Sequence, residues 1–178
     1  KDFLRWMLSD GAAAFLLENE AKGDLSLRIE WMEGYSYAYE LETCMYAGGD
    51  KLEDGSLKSF SDYSSEEWLT KSLFAVKQDT KILDKYILDK GVESMLSAMG
   101  KHNISPADID YLLPHVSSHY FVDGLYQKIA DAGIEISREK WFLNLKEVGN
   151  VGAGSIYLMV EGLYHSGRLK KGDKIMLC

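Results

Sequence analysis

Residues 109–115 read Ile-Asp-Tyr-Leu-Leu-Pro-His, and residues 141–155 read Trp-Phe-Leu-Asn-Leu-Lys-Glu-Val-Gly-Asn-Val-Gly-Ala-Gly-Ser. The first stretch is a short apolar run closed by proline, a pattern that predicts a buried strand with His115 at its carboxyl end. The second leads from an apolar segment into a glycine-rich turn that presents one amide side chain, Asn150. Ligands of α/β sheets generally bind beyond the carboxyl ends of strands. We therefore predict that His115 and Asn150 converge on one pocket.

The segments around these two stretches alternate between helix and strand patterns. Apolar residues recur at helical spacing over residues 81–101, and Ser105-Pro106 predicts a capped helical turn. Further helices are expected from Ser117 or Ser118 to about residue 132, and from the glycine-rich turn to Gly167. A closing strand is expected over residues 174–178. Strands that alternate with covering helices predict an α/β domain with a layered mixed sheet.

Further strands are predicted near the start of the chain. The first residues read as core strand, and residues 12–17 read as a fully buried strand after a bend at Asp10-Gly11. Residues 25–39 alternate apolar and polar side chains, as a half-buried strand does. We expect residues 12–17 and residues 25–39 to form an antiparallel pair.

Residues 40–78 are the least regular part of the chain, and we expect an elaborated loop or cap region there within one domain over residues 1–178. One helix is expected over residues 65–74, capped by Ser64 or Ser65. Residues 50–61 superficially look like a calcium loop, but Leu52 takes a ligand position and Ser61 replaces the closing glutamate. No calcium site is expected.

Composition excludes several classes of function. Twenty basic against 28 acidic residues give a formal charge of −8, which argues against a surface for nucleic acid or anionic membrane. No apolar run is long enough for a membrane span. Cys44 and Cys178 are too few and too far apart for a disulfide framework or a zinc site, so reduced thiols in the cytoplasm are expected.

Other chemistries find little support in the same residues. His115 and His119 have the spacing of a metal pair but no carboxylate at the zincin position, and a structural histidine at a strand end is the other alternative for His115. The glycines of residues 149–154 have the reverse of the dinucleotide spacing. Ser155 lacks the second glycine of a nucleophile elbow, and Cys44 has no histidine near it in sequence.

Four segments, in order, resemble the C-terminal half of the β-ketoacyl-acyl-carrier-protein synthase III family, which belongs to the thiolase-like condensing enzymes. The resemblance covers nearly all of the chain outside residues 40–78, and its segments are residues 5–12, 108–115, 149–150 with the small-residue turn, and 167–173. It implies the C-terminal half of a thiolase-like fold. With no initiator methionine and a last strand that runs to the final residue, we expect an excised piece of a longer protein.

The resemblance also implies a mechanism. In the family, a cysteine in the N-terminal half is acylated, and a histidine and an asparagine from the C-terminal half complete the site; here these are His115 and Asn150. Both would stabilise the enolate that forms when a malonyl thioester loses carbon dioxide. The implied partners are acyl carrier protein, acyl-CoA and a second copy in a homodimer, with no cofactor beyond the thioester substrates.

Two departures from the family keep other functions open. Residues 116–118 read Val-Ser-Ser where the family usually has Gln-Ala-Asn, and the family's nucleophile half is missing. The first alternative is a related acyl transfer that joins two acyl chains, makes an ester or forms a dialkyl ring. The second is a non-catalytic partner subunit that keeps the fold and supports a catalytic copy.

Overall fold

The computed structural model describes residues 2–178, apart from the side chains of residues 2, 3 and 5. The chain divides into two compact units: Lys1–Trp6 with Tyr35–Ile87, and Met7–Gly34 with Leu88–Cys178. Residues 40–78, which the sequence marks as irregular, lie within the first unit. A single domain over residues 1–178 with a cap at residues 40–78 stays a prediction.

The helices and strands are distributed unevenly along the chain. The α-helices are α1 Asp2–Met7, α2 Ser65–Thr70, α3 Thr80–Lys101, α4 Tyr120–Asp131, α5 Leu145–Val148 and α6 Ser155–His165. The strands are β1 Met45–Tyr46, β2 Gly49–Lys51, β3 Leu57–Ser59, β4 Lys77–Gln78, β5 Tyr111–Leu113 and β6 Ile175–Leu177, and short 3₁₀ turns lie at Phe60–Asp62, Pro106–Asp108, Arg138–Lys140 and Gly152–Gly154. Among the described residues, no helix is both long and apolar enough to cross a membrane.

The first unit is built from short antiparallel pairs. Strand β1 pairs with β4, and β2 with β3. Helix α2 begins with the predicted cap: the Ser64 side chain accepts from the backbone N–H of Glu67, and the Glu67 carboxylate accepts from the backbone N–H of Ser64. The helix is shorter than predicted because Ser72 has a positive φ of 49°, which a helix cannot continue through.

The second unit has β5 at its centre. Strand β6 pairs with it in parallel, with Leu112 opposite Met176. On the other side Leu112 forms a parallel bridge with Trp141, and the Phe142 N–H donates to the Leu112 carbonyl at 3.0 Å. Strand β5 therefore lies between two parallel neighbours, as expected for a buried strand of an α/β sheet.

Apolar clusters cover both faces of β5. Leu112, with 0% exposure, belongs to a cluster that includes residues of α3 and α4. Leu113, also with 0% exposure, packs with Met159, Val160 and Leu163 of α6. The alternation follows from strand geometry, because successive side chains point to opposite faces. The predicted fold class, an α/β sheet covered by helices, is confirmed, as are the helices and strands predicted after residue 80.

The strands predicted near the start of the chain are wrong. Residues 2–7 form helix α1, and residues 12–17 and 25–39 form neither a helix nor a strand. Leu16 is 85% exposed and Leu17 is 71% exposed, although the pattern predicted burial. A strand requires a neighbour that accepts and donates backbone hydrogen bonds, and the described residues provide no strand that pairs with either segment.

Three contacts anchor residues 31–33 to the end of α3. The Trp31 ring stacks on the His102 ring with centroids 4.3 Å apart and planes 5° apart. The Glu33 carboxylate accepts from Lys101 at 2.8 Å and lies 2.7 Å from the His102 Nε2. These two hydrogen bonds, first that from Lys101 and then that from His102, hold the pKa of Glu33 below its ordinary value.

We expect acid to release this anchor. A carboxylate whose pKa is lower in the folded state contributes stability above its ordinary pKa and loses it as pH falls through the lowered one. The indole signal of Trp31 in an ¹⁵N spectrum should therefore move toward a solvent-exposed position below about pH 4. In Glu33→Gln the indole signal of Trp31 should already be at the solvent-exposed position at neutral pH. Glu30→Gln is the matched control, and an unchanged acid response in Glu33→Gln would contradict the prediction.

Candidate active site

His115 follows β5 after one fully buried proline. The backbone N–H of His115 donates to the Cys178 carbonyl, and the Cys178 N–H donates to the Leu113 carbonyl at 3.2 Å. The parallel pairing with the closing strand thus continues past Pro114, which cannot donate a hydrogen bond itself. Strand β5 therefore delivers His115 at its carboxyl end, as the sequence predicted.

The His115 ring has no hydrogen-bond partner among the residues that the structure describes. The residue retains solvent exposure, yet desolvation lowers the pKa of its imidazole below the ordinary value. The neutral ring is therefore favoured at neutral pH. A neutral imidazole carries one N–H donor and one acceptor nitrogen, so His115 can donate to an oxygen without carrying a charge.

Asn150 lies in the glycine-rich turn between α5 and α6 and is only 7% exposed. Gly149 before it has φ 72° and ψ −175°, a backbone conformation that is almost restricted to glycine. The Asn150 Oδ1 accepts from the Gly152 N–H at 3.0 Å, which closes a local turn. No described residue accepts from its Nδ2, so the amide donor is available to a ligand.

Sequence reasoning missed one residue that supports this turn. Ser155 is 5% exposed, and its Oγ accepts from the Val151 N–H at 3.1 Å. The signal was present, because serine at the start of a helix often bonds to nearby backbone. Ser155 therefore orders the turn that carries Asn150 and is not a nucleophile.

The sheet directs His115 and Asn150 to the same edge. His115 follows β5, and Asn150 follows Trp141 and Phe142, which bond to Leu112 of β5 as a parallel neighbour. The carboxyl ends of parallel neighbours lie at one edge, where α/β proteins bind ligands. Helix α5 and Gly149 complete the connection on the asparagine side. The convergence of the two side chains on one pocket stays a prediction.

The two cysteines do not look like nucleophiles. Both are free. Burial raises the pKa of the Cys44 thiol, and burial of the thiol raises the pKa of Cys178 to about 12 although the residue as a whole is exposed. The thiolate is the reactive form, so both groups are unreactive thiols at neutral pH. No three His, Cys, Asp or Glu side chains of the described residues are grouped so as to hold a metal ion.

Comparison with known proteins bears out the resemblance. Residues 99–178 match the family described as 3-oxoacyl-[acyl-carrier-protein (ACP)] synthase III C terminal. The β-ketoacyl-[acyl-carrier-protein] synthase III of Clostridioides difficile (strain 630) is 28% identical over 131 residues, which are 74% of this chain and 35% of the relative. That of Clostridium novyi (strain NT) is 25% identical over 171 residues, which are 96% of this chain and 47% of the relative.

Solved structures agree at the level of the fold. The 3-oxoacyl-[acyl-carrier-protein] synthase III of Aquifex aeolicus VF5 matches with a TM-score of 0.52 and 23% identity, over 58% of this chain and 32% of that one. The enzyme from Thermus thermophilus matches with a TM-score of 0.53 and 18% identity, over 75% and 40%. The chain thus spans less than half the length of these relatives, and the predicted resemblance to the C-terminal half of the family is confirmed.

Proposed function

We propose that this chain is the C-terminal half of a β-ketoacyl-acyl-carrier-protein synthase III-like acyltransferase. The observation that supports the proposal is that His115 and Asn150 follow neighbouring parallel segments, within residues 99–178 that match this family. The reaction would be the decarboxylative condensation of an acyl thioester with malonyl-acyl-carrier protein, in fatty acid or related acyl-chain biosynthesis.

The chemistry suits the two side chains. Loss of carbon dioxide from a malonyl thioester leaves the electron pair of the broken C–C bond as an enolate, with negative charge on the thioester oxygen. Donors that are already oriented toward that oxygen stabilise the transition state more than the ground state. The lowered pKa of His115 favours the neutral ring at neutral pH. The Oδ1 of the buried Asn150 amide already accepts a hydrogen bond from the Gly152 N–H, so its Nδ2 group is left to donate to a ligand.

The nucleophile would come from the half of the protein that this chain does not cover. The resulting carbanion would attack an acyl group on that nucleophile and release a β-ketoacyl product. We also propose acyl carrier protein and acyl-CoA as partners, a homodimer of the whole protein, and no cofactor beyond the thioester substrates. A cytoplasmic location stays a prediction from the two free cysteines.

One observation favours a second candidate. Val116, directly after His115, is 7% exposed and stands where the family usually has glutamine, so a buried apolar side chain replaces an amide next to His115 in the chain. A related acyl transfer, such as ester formation or the joining of two acyl chains, would use the same pair on another substrate. A non-catalytic partner subunit would use neither side chain.

The experiment compares this chain with the whole protein that contains it. We expect the 178-residue chain alone to transfer no acyl group and to gain no acyl adduct on Cys44 when incubated with a short acyl-CoA, because its thiols are protonated and its nucleophile is absent. The whole protein, given acyl-CoA and malonyl-acyl-carrier protein, should release carbon dioxide and a β-ketoacyl product.

Intact-mass spectrometry and product analysis distinguish the outcomes. A stoichiometric adduct on Cys44 of this chain would contradict the assignment of the nucleophile. Product without carbon dioxide release would favour the related acyl transfer. A whole protein that is neither acylated nor able to decarboxylate malonyl thioester would favour the partner subunit.

A further inference from the structure

The turn that carries Asn150 packs against a distant part of the chain, residues 9–11. The Ser9 N–H donates to the Asn150 carbonyl at 2.7 Å. This is a hydrogen bond between two segments without regular secondary structure, and it joins the backbone of the candidate donor directly to residue 9. The strand predicted to follow this bend does not form, so the contact is not part of a sheet.

Two glycines allow the close approach. A Cβ on Gly149 would lie 2.1 Å from the Ser9 Oγ, and a Cβ on Gly11 would lie 2.7 Å from the Val151 Cγ1. Both distances are shorter than the contacts that non-bonded Cβ atoms make in proteins. The residues on both sides of Asn150 therefore contact the 9–11 segment closely, and a side chain larger than hydrogen at Gly149 or Gly11 would force Ser9 or Val151 to move.

The residues that follow this segment contact α6 at two further points. The Phe15 ring packs edge-on against Tyr157 with centroids 4.8 Å apart. The Tyr164 hydroxyl donates to the Leu25 carbonyl at 2.9 Å. Residues 15 and 25 thus contact α6 near its start and near its end. These contacts support the 9–11 contact although the segment is neither helix nor strand.

We propose that residues 9–11, Ser9-Asp10-Gly11, form a positioning segment for Asn150, with Gly11 as the residue that sets the depth of the contact. The effect of this segment on catalysis rests on the proposed function, but the contact between residues 9–11 and the Asn150 turn does not. The Asn150 carbonyl, the preceding Gly149 and the following Val151 all contact this segment, so the segment fixes the backbone that carries the amide donor.

Gly11→Ala tests the proposal, since φ at Gly11 is not in the left-handed region and the change adds only a methyl group. In the 178-residue chain the Ser9 amide should lose about tenfold of its hydrogen-exchange protection, and the Asn150 side-chain NH₂ signals should shift. Gly34→Ala is the matched control, because a Cβ there meets nothing within 4 Å.

Val151→Ala provides the rescue. It removes the two methyl groups nearest the new Cβ and leaves a contact of 3.0 Å with the Val151 Cβ, which a small shift absorbs. Gly11→Ala with Val151→Ala should therefore recover the Ser9 protection and the Asn150 signals. Unchanged Ser9 exchange in Gly11→Ala would overturn the proposal. So would a double variant that remains as perturbed or as unfolded as Gly11→Ala.

A second measurement tests the catalytic meaning. In the whole protein Gly11→Ala should lower malonyl decarboxylation by about a hundredfold, the usual effect of a small misplacement, with recovery in the double variant. Acylation of the nucleophile should be unchanged in both. If the exchange results hold while Asn150 variants decarboxylate normally, the positioning segment stands and the proposed function fails.

Discussion

Replacing His115 with alanine in the whole protein is expected to slow malonyl thioester decarboxylation by about two to three orders of magnitude, while acylation of the nucleophile proceeds nearly normally. Under the proposed function, the imidazole donates to charge that develops only in the decarboxylation transition state. Single-turnover decarboxylation, acylation rate and melting temperature should be measured on the same variant. His119→Ala is the matched control, because His119 is exposed and makes no side-chain cap to α4.

Asn150→Asp extends this experiment to the second donor. The aspartate keeps an oxygen that can accept from the Gly152 N–H, and it removes the amide donor, so the turn should survive while decarboxylation falls by a similar factor. A histidine or asparagine with a structural role alone would lower the melting temperature and leave the folded fraction active. If both variants decarboxylate normally while folded, the pair has been assigned wrongly and the partner-subunit alternative is favoured.

Replacing Leu112 with alanine should give the largest loss of stability in the second unit. Leu112 is 0% exposed, lies in the middle strand and contacts the cluster that includes α3 and α4 residues. Truncating such a side chain typically costs about 2–5 kcal/mol through lost burial and the cavity left behind. Chemical denaturation monitored by circular dichroism measures the change in the free energy of unfolding.

Leu177→Ala is the control for this experiment. Leu177 belongs to the neighbouring strand β6 but is 45% exposed, so its truncation should cost much less than that of Leu112. Equal losses in the two variants would mean that β5 is not the centre of the core. A variant at Leu112 with normal stability would contradict the described packing altogether.

Local patterns are sufficient for the elements that complete their own hydrogen bonds or are buried on both sides. Helix α3 is predicted within one residue of its start at Thr80, because a helix satisfies its backbone internally and its apolar stripe is visible in the sequence. Strand β5 is recognisable from its apolar run, and its proline places His115 at the carboxyl end. The glycine-rich turn likewise marks Asn150 as a candidate donor, because it is the one amide side chain within that turn.

The same reasoning fails over residues 12–17 and 25–39, since a strand pattern describes side chains but says nothing about whether a hydrogen-bonding neighbour is present. Phe15 instead packs on Tyr157, and Trp31 stacks on His102, both contacts between residues far apart in sequence. The alternation of side chains along a strand describes only neighbouring residues, so it cannot specify partners that are far apart in sequence.

The sequence by itself determined the α/β class, the central strand and the two candidate donors, because each of these depends on the order of residues within one short segment. Only the tertiary structure decided which neighbours flank β5, that both candidate donors follow parallel segments at one sheet edge, and that the Ser9 N–H donates to the Asn150 carbonyl. These depend on contacts between segments that are far apart along the chain. Such contacts form because apolar faces are buried against each other and because each buried backbone donor needs an acceptor. A local sequence pattern does not say which distant residue provides either one.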